Sequence, residues 1–275
     1  MACGRASDSP NDGLRHYQAR GLIRGLPPDH KTLEIEHEDI RGFMPSMTMP
    51  FEVRDEKETS GLKIGDGISF RLSVTPSDSW IDQIQKIDSV TLHLPTPAST
   101  VRPAKSDRLH EGDAMPPFQL VDQNNHPITL ATFQGHDLVV TFIFTRCPIP
   151  NFCPRMSQDF AELQKAIKAS SSEPLSSTRL LSISFDPAHD TPAVLHDYGQ
   201  AEGADRSVWQ LATGEPAEIQ RLTKAFSVLV QPESGTISHS LATALIDKNG
   251  RIEKIWRGNA WTPAEVLEAI GDGKR

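Results

Sequence analysis

The stretch Leu138-Val-Val-Thr-Phe-Ile-Phe144-Thr-Arg-Cys147-Pro-Ile-Pro-Asn-Phe-Cys153-Pro154 decides the fold of the second half of the chain. Residues 138–144 form a continuous apolar run of strand length, which fits a strand buried on both faces of a mixed or parallel sheet. Pro154 then opens a helix whose apolar face is Met156, Phe160, Leu163 and Ile167. A strand, a cysteine loop and a helix in this order make the arrangement of a thiol redox site. A thiol at a helix N-terminus has its thiolate favoured by the dipole and the free N–H groups, so Cys153 is expected to be reactive or metal-competent. Spacing alone leaves a structural disulfide or two buried thiols open.

Working outward, residues 180–185 read as a second buried strand, and Thr191-Pro192 as a capped helix start. Ile219, Leu222 and Phe226 mark another helical face, Asn249-Gly250 a hairpin turn, and Thr262-Pro263-Ala264-Glu265 a capping box. Residues 111–275 are therefore expected to form an α/β domain. Upstream, strands are expected at 17–26, 32–37, 48–53, 68–75 and 84–94, with no helix among them. The clearest is 68–74, where Ile68, Phe70, Leu72 and Val74 alternate with polar residues. Five short strands over 14–96 suggest a small closed, OB-like all-β barrel, since closure hides sheet edges. Residues 1–13 read as a flexible tether and 97–110, rich in proline and serine nearby, as a linker.

Composition limits the partners. With 28 basic and 36 acidic residues the net charge is −8, a sign that repels phosphate backbones and argues against nucleic acid. No window approaches the roughly 18 unbroken apolar residues of a membrane span. The 3 cysteines are too few for a disulfide scaffold: Cys147 and Cys153 make a pair, and Cys3 is odd. Ala2-Cys3-Gly4 resembles the tail of a bacterial lipoprotein signal, which implies lipidation of Cys3 and membrane anchoring through it.

Methionine is scarce, at 6 residues, yet three fall in Phe43-Met44-Pro-Ser-Met47-Thr-Met49. Met47 and Met49 are two apart and share a strand face, and His37 ends a strand a few residues upstream. Two thioethers with an imidazole suit Cu(I) or Ag(I); the bland alternative is that these methionines fill a core. His37-Glu-Asp-Ile-Arg-Gly-Phe-Met44-Pro-Ser-Met47-Thr-Met49-Pro-Phe51 resembles the metal-binding segment of the CusF-like periplasmic copper-binding domains, small five-stranded barrels. The resemblance implies His37, Met47 and Met49 as Cu(I) ligands. Met44 stands where that family carries a tryptophan lid, one residue closer to the histidine, and reads as a fourth ligand or an apolar cover.

The second half is similar to the Sco/SenC family, thioredoxin-like copper proteins that assist assembly of the binuclear copper centre of cytochrome c oxidase. The matching pieces are Gly112-Asp-Ala-Met-Pro-Pro-Phe118, Phe144-Thr-Arg-Cys147-Pro, Cys153-Pro, Ser184-Phe-Asp186-Pro-Ala-His-Asp190-Thr-Pro192 and Ser238-His239-Ser240. The resemblance implies Cys147, Cys153 and His239 as ligands for Cu(I) or Cu(II), with the cysteines doubling as a redox pair. Five residues separate the cysteines here where the family usually has three, so the first must lie on a loop that folds back. Asp186 could orient a site histidine or serve as a turn aspartate; His189 and Asp190 read as solvated loop residues, and Trp209, Trp256 and Trp261 as sheet packing. The resulting expectation is an exported, periplasmic metallochaperone, more than a turnover enzyme. It would be served by a periplasmic thiol reductant and would deliver to the copper-centre subunit of cytochrome c oxidase. The alternative is a thiol-disulfide oxidoreductase, or a copper-tolerance protein without an oxidase client.

Overall fold

The structure, a computed structural model, describes residues 14–27, 31–44, 46–75, 78–94, 108–233 and 236–272. Cys3, the 1–13 tether and most of the 97–110 linker lie outside them. The chain divides into two compact units, Met1–Pro95 and Thr96–Arg275. No helix among the described residues is long and apolar enough to cross a membrane.

The first unit is a five-stranded antiparallel sheet of β1 (Arg15–Gly25), β2 (Thr32–His37), β3 (Met47–Glu52), β4 (Gly67–Val74) and β5 (Ser79–Ile87), in the order β3-β2-β1-β4-β5. Alternation sends Ile23, Leu33, Ile35, Phe51, Phe70, Leu72 and Ile81 into one core. The expected barrel is not closed by a continuous ladder. Among the described residues the two edges share a single parallel bridge, between Val53 and Ile81, with the Arg54 N–H donating to the Ile81 carbonyl at 2.9 Å. Pro50 removes a donor from edge strand β3, and a register shift bends β5 where Gln83 takes φ 55°. The same irregularity explains why β5 lies at Ser79–Ile87 when alternation suggested 84–94: Ile81 and Ile84 fall out of phase. Two single-turn 3-10 helices, Glu56–Thr59 and Ser89–Thr91, also interrupt a region expected to be all strand; Asp55 and Asp88 cap them.

The second unit contains β6 (Gln119–Asp122), β7 (Pro127–Thr129), β8 (Leu138–Ile143), α1 (Cys153–Ala169), β9 (Arg179–Ser184), α2 (Pro192–Ala201), β10 (Trp209–Thr213), α3 (Pro216–Ala225), β11 (Val230–Glu233), β12 (Thr236–His239), β13 (Ala242–Ile246), β14 (Ile252–Arg257) and α4 (Pro263–Asp272). Its main sheet runs β14-β13-β8-β9-β10-β6-β7, with β8, β9 and β10 parallel and β13 antiparallel to β8. This is the thioredoxin-like arrangement expected, and all six residues of β8 are buried. Helix α1 places Met156, Phe160 and Leu163 on the sheet, where Phe160 meets Trp209 at 5.8 Å between ring centroids. Trp209 and Trp261 are core residues, whereas Trp256 is half-buried under Lys254. The capping box forms: the Thr262 N–H donates to Glu265 Oε2 at 2.7 Å. The short strands β6, β7 and β10, and the separate β11–β12 hairpin, carry too few residues for a period to show in the sequence.

Gly21 lies directly opposite His37 in the β1–β2 pairing. A Cβ at Gly21 would stand 2.6 Å from the Glu36 carbonyl oxygen and 2.9 Å from the His37 Cα, both backbone atoms. Gly21→Ala is therefore expected to force β1 and β2 apart and cost about 1–3 kcal/mol, as overpacking does. Amide exchange along β1 and β2 in the full chain checks this; unchanged exchange would show that the strands absorb the methyl group.

Candidate metal centres

In the first unit the β2–β3 register pairs His37 with Met47 and Ile35 with Met49. Directly opposed residues of an antiparallel pair share a face, so the imidazole and both thioethers point into the interior at one end of the sheet. His37 is fully buried, and Met47 and Met49 are 7% and 5% exposed. His37 Nδ1 lies 2.7 Å from the Glu38 carbonyl oxygen, which can only accept, so Nδ1 carries the proton. Nε2 then presents its lone pair to the interior with no hydrogen-bond partner among the described residues. Burial lowers the His37 pKa to about 4, against smaller raising effects of the Glu38 hydrogen bond and the Asp39 charge, so the ring is neutral at pH 7. A desolvated, unpartnered nitrogen beside two thioethers fits a soft univalent cation, which needs the neutral imidazole. Met44 is buried on the connecting loop, in a bridge to Ile40, while its neighbour Phe43 stacks on Tyr17 with centroids 4.7 Å apart.

In the second unit Cys147 Sγ, Cys153 Sγ and His239 Nε2 all lie within 4.8 Å of one another. The imidazole is 3.9 Å from Cys147 Sγ and 3.8 Å from Cys153 Sγ, and the cysteines are not bonded to each other. The five residues between the cysteines are taken up by a turn: Phe152 N–H donates to the Ile149 carbonyl at 3.0 Å, and Ile149 and Phe152 are buried. The loop thus folds back and returns Cys147 to Cys153 at the start of α1. His239 comes from the end of β12; its Nδ1 donates to the Ser240 carbonyl at 3.1 Å, so Nε2 faces the sulfurs. Phe144, Phe152 and Phe185 wall the ring with centroids 5.4, 5.4 and 4.8 Å away.

The two thiols are not equivalent: helix position favours a Cys153 thiolate, and burial opposes it. Burial raises the Cys153 thiol, and hydrogen bonding to Cys147 and the Cys147 charge raise it further, well above the usual range. For half-buried Cys147, burial is outweighed by hydrogen bonding to Cys153 and His239 and by the imidazole charge, which hold it well below that range. Cys147 is therefore the more acidic of the two thiols, and fully buried Cys153 the less acidic.

Asp186 does not orient His239, whose Nδ1 is already committed to the Ser240 carbonyl. Asp186 instead accepts from Arg146 Nη2 at 2.7 Å, beside Cys147. Asp190 is not a solvated loop residue: it is fully buried. Its carboxylate accepts from the Thr145 N–H at 3.0 Å, the Thr145 hydroxyl at 2.6 Å and the Ser184 hydroxyl at 2.5 Å. It thereby clamps the start of the cysteine loop to the end of β9. His189, 40% exposed, touches the same carboxylate at 3.2 Å. The sequence offered only one hint of this clamp, hydroxyl side chains at Thr145 and Ser184, at or just past the ends of two largely apolar strands.

Comparison with known proteins agrees with this arrangement. The SCO1/SenC family model matches residues 106–272, and that of the copper binding periplasmic protein CusF matches residues 16–86. The SCO1 protein homolog of Bacillus subtilis is 28% identical over 155 residues, covering 55% of this chain and 77% of that protein. An SCO2-like protein of Rickettsia typhi is 30% identical over 155 residues, covering 54% of this chain and 70% of that protein. Among solved structures, a SCO1/SenC family lipoprotein from Bacillus anthracis is 33% identical with a TM-score of 0.52, covering 60% of this chain and 95% of that one. With the family model spanning more than half its length and the fold in agreement, the chain belongs to the SCO1/SenC family and carries a CusF-like copper-binding domain ahead of the thioredoxin-like one.

Proposed function

We propose that this protein is an exported copper metallochaperone with two soft-metal centres, one on each unit. His37, Met47 and Met49 take up Cu(I), with Met44 as a fourth ligand or cover. Cys147, Cys153 and His239 hold Cu(I) or Cu(II) and pass it to the copper-centre subunit of cytochrome c oxidase. The observation that carries the reading is the convergence of two thiols and one imidazole nitrogen within 4.8 Å, from a loop, a helix start and a separate hairpin. Copper is cargo here: two sulfurs and a nitrogen grip it firmly, yet half-buried Cys147 leaves an edge where an incoming ligand can displace one donor at a time. A periplasmic location, a lipid on Cys3 and a periplasmic thiol reductant that keeps the pair reduced complete the proposal.

The thiol asymmetry favours a second use of the same pair. The Cys147 thiolate attacks a partner's disulfide, forming a mixed disulfide and releasing one partner thiolate. Cys153, on losing its proton, then attacks Cys147 sulfur, releasing the second thiolate. Two electrons pass to the partner and a Cys147–Cys153 disulfide remains for the reductant to open.

Cu(I) titration of the reduced full chain is expected to give two equivalents. Cys147→Ser with Cys153→Ser should leave one, and Met47→Ala with Met49→Ala should leave the other. Uptake that ignores both pairs would sink the proposal. In the metal-free reduced protein, a lowered Cys147 pKa keeps its thiolate populated as pH falls below the usual thiol range of about 8.5. Alkylation at pH 7 should therefore fall on Cys147 and spare Cys153. His239→Ala removes a cause of the lowering and should slow the reaction at pH 7, with the loss shrinking as pH rises. Labelling that favours Cys153 would reverse the assigned roles. Asp190→Asn is expected to cost about 1–3 kcal/mol through its loosened donors and to raise amide exchange at Thr145.

A further inference from the structure

We infer that Glu38 and Arg20 are positioning residues of the His37 centre, and that they clamp residues 88–94 so that metal occupancy and docking of that segment are coupled. The inference rests on the reading that His37 binds a soft metal. Glu38 joins the two features within one residue. Its carbonyl accepts the His37 Nδ1 proton at 2.7 Å, and its N–H donates to the Arg20 carbonyl at 2.9 Å. Its carboxylate accepts the His93 N–H on Oε1 at 2.5 Å, while Oε2 lies 3.6 Å from Arg20 Nε. Arg20 Nη2 donates in turn to the Thr91 carbonyl at 2.5 Å and the Thr91 hydroxyl at 2.8 Å.

The sequence places these contacts well away from each other along the chain, and three local features bring them together. β1 continues past its pairing with β2, which ends at Gly21 opposite His37, so Arg20 sits at the rim of the centre. Asp88 caps the single turn Ser89–Thr91, which reverses the chain after β5. Gly67 allows that turn to come close: a Cβ there would stand 2.9 Å from the Ser89 Cα. In sequence, residues 88–94 lie between the metal-binding segment and the stretch read as a linker.

The coupling follows from the chemistry of imidazole. A cation on Nε2 draws electron density from the ring and makes Nδ1–H a stronger donor, which tightens its bond to the Glu38 carbonyl. Glu38 then moves less, and the carboxylate that receives the His93 N–H is held in place. Linkage is reciprocal: whatever factor metal adds to docking of 88–94, docking adds to metal affinity.

The test is amide exchange of the reduced full chain with and without Ag(I) in excess over both centres. Exchange across 88–94, which includes the His93 amide bound to Glu38, is expected to slow by roughly five-fold or more when Ag(I) is present. Glu38→Gln keeps the backbone carbonyl but loses the charged acceptor. It should abolish the slowing and weaken Ag(I) binding at the first centre by the same factor, while exchange in β4 stays as in wild type. Arg20→Gln is the independent variant and should act alike; a purely structural brace would raise exchange at 88–94 equally with and without Ag(I). His37→Ala separates the two ideas. If it removes one Ag(I) equivalent but Ag(I) leaves exchange of 88–94 unchanged in wild type, the clamp is overturned and the metal centre stands. If it removes none, both fail.

Discussion

Each candidate centre depends on one hydrogen bond made by a histidine to the carbonyl of the residue after it. His37 Nδ1 donates to the Glu38 carbonyl, and His239 Nδ1 to the Ser240 carbonyl. Committing Nδ1 to a backbone acceptor fixes the tautomer and turns Nε2 toward soft donors, thioethers in one unit and thiols in the other. Two unrelated scaffolds thus reach the same ring orientation. Because the acceptor is the next peptide, the ring orientation is set by local backbone, and the surrounding fold need only bring sulfur to it.

How sulfur arrives differs between the units. In the first, antiparallel register does all the positioning: His37 opposite Met47 and Ile35 opposite Met49 put the three donors on one face, and Gly21 lets β1 approach closely enough to hold that register. In the second, no register joins the donors. A loop, a helix start and a hairpin converge, and buried polar contacts replace the ladder. The Asp190 carboxylate binds the loop at Thr145 to β9 at Ser184, and three phenylalanine rings confine His239.

That difference carries into chemistry. The first centre is enclosed and its imidazole neutral, suited to holding a cation. The second has one half-buried, more acidic thiol and one fully buried, less acidic one, an asymmetry suited to release as well as retention. The inequality arises from burial and mutual proximity: burial pushes both thiols up, hydrogen bonding to Cys147 and its charge push Cys153 further, and hydrogen bonds with Cys153 and His239 bring Cys147 down.

Much of this was legible in residue order. The apolar run at 138–144, the alternation at 68–74, the Thr262 capping box and the shared strand face of Met47 and Met49 each obey a local period or cap, and each formed as read. What failed were judgements needing partners distant in sequence. Asp190 looked like a solvated loop residue because its three donors come from Thr145 and Ser184. Of the two readings of Asp186, a histidine-orienting group or a turn aspartate, the first meets a ring already bonded elsewhere. Barrel closure was inferred from strand count, whereas the bend near Gln83 and the proline in β3 limit the edges to one bridge. By itself the sequence determined which residues are soft donors and which segments are strands or helices, since these follow from side-chain chemistry and short-range periodicity. Only the tertiary structure decided which thiol is the more acidic and which carboxylate holds the loop, because burial and hydrogen-bond partnership are properties of neighbours brought together by folding.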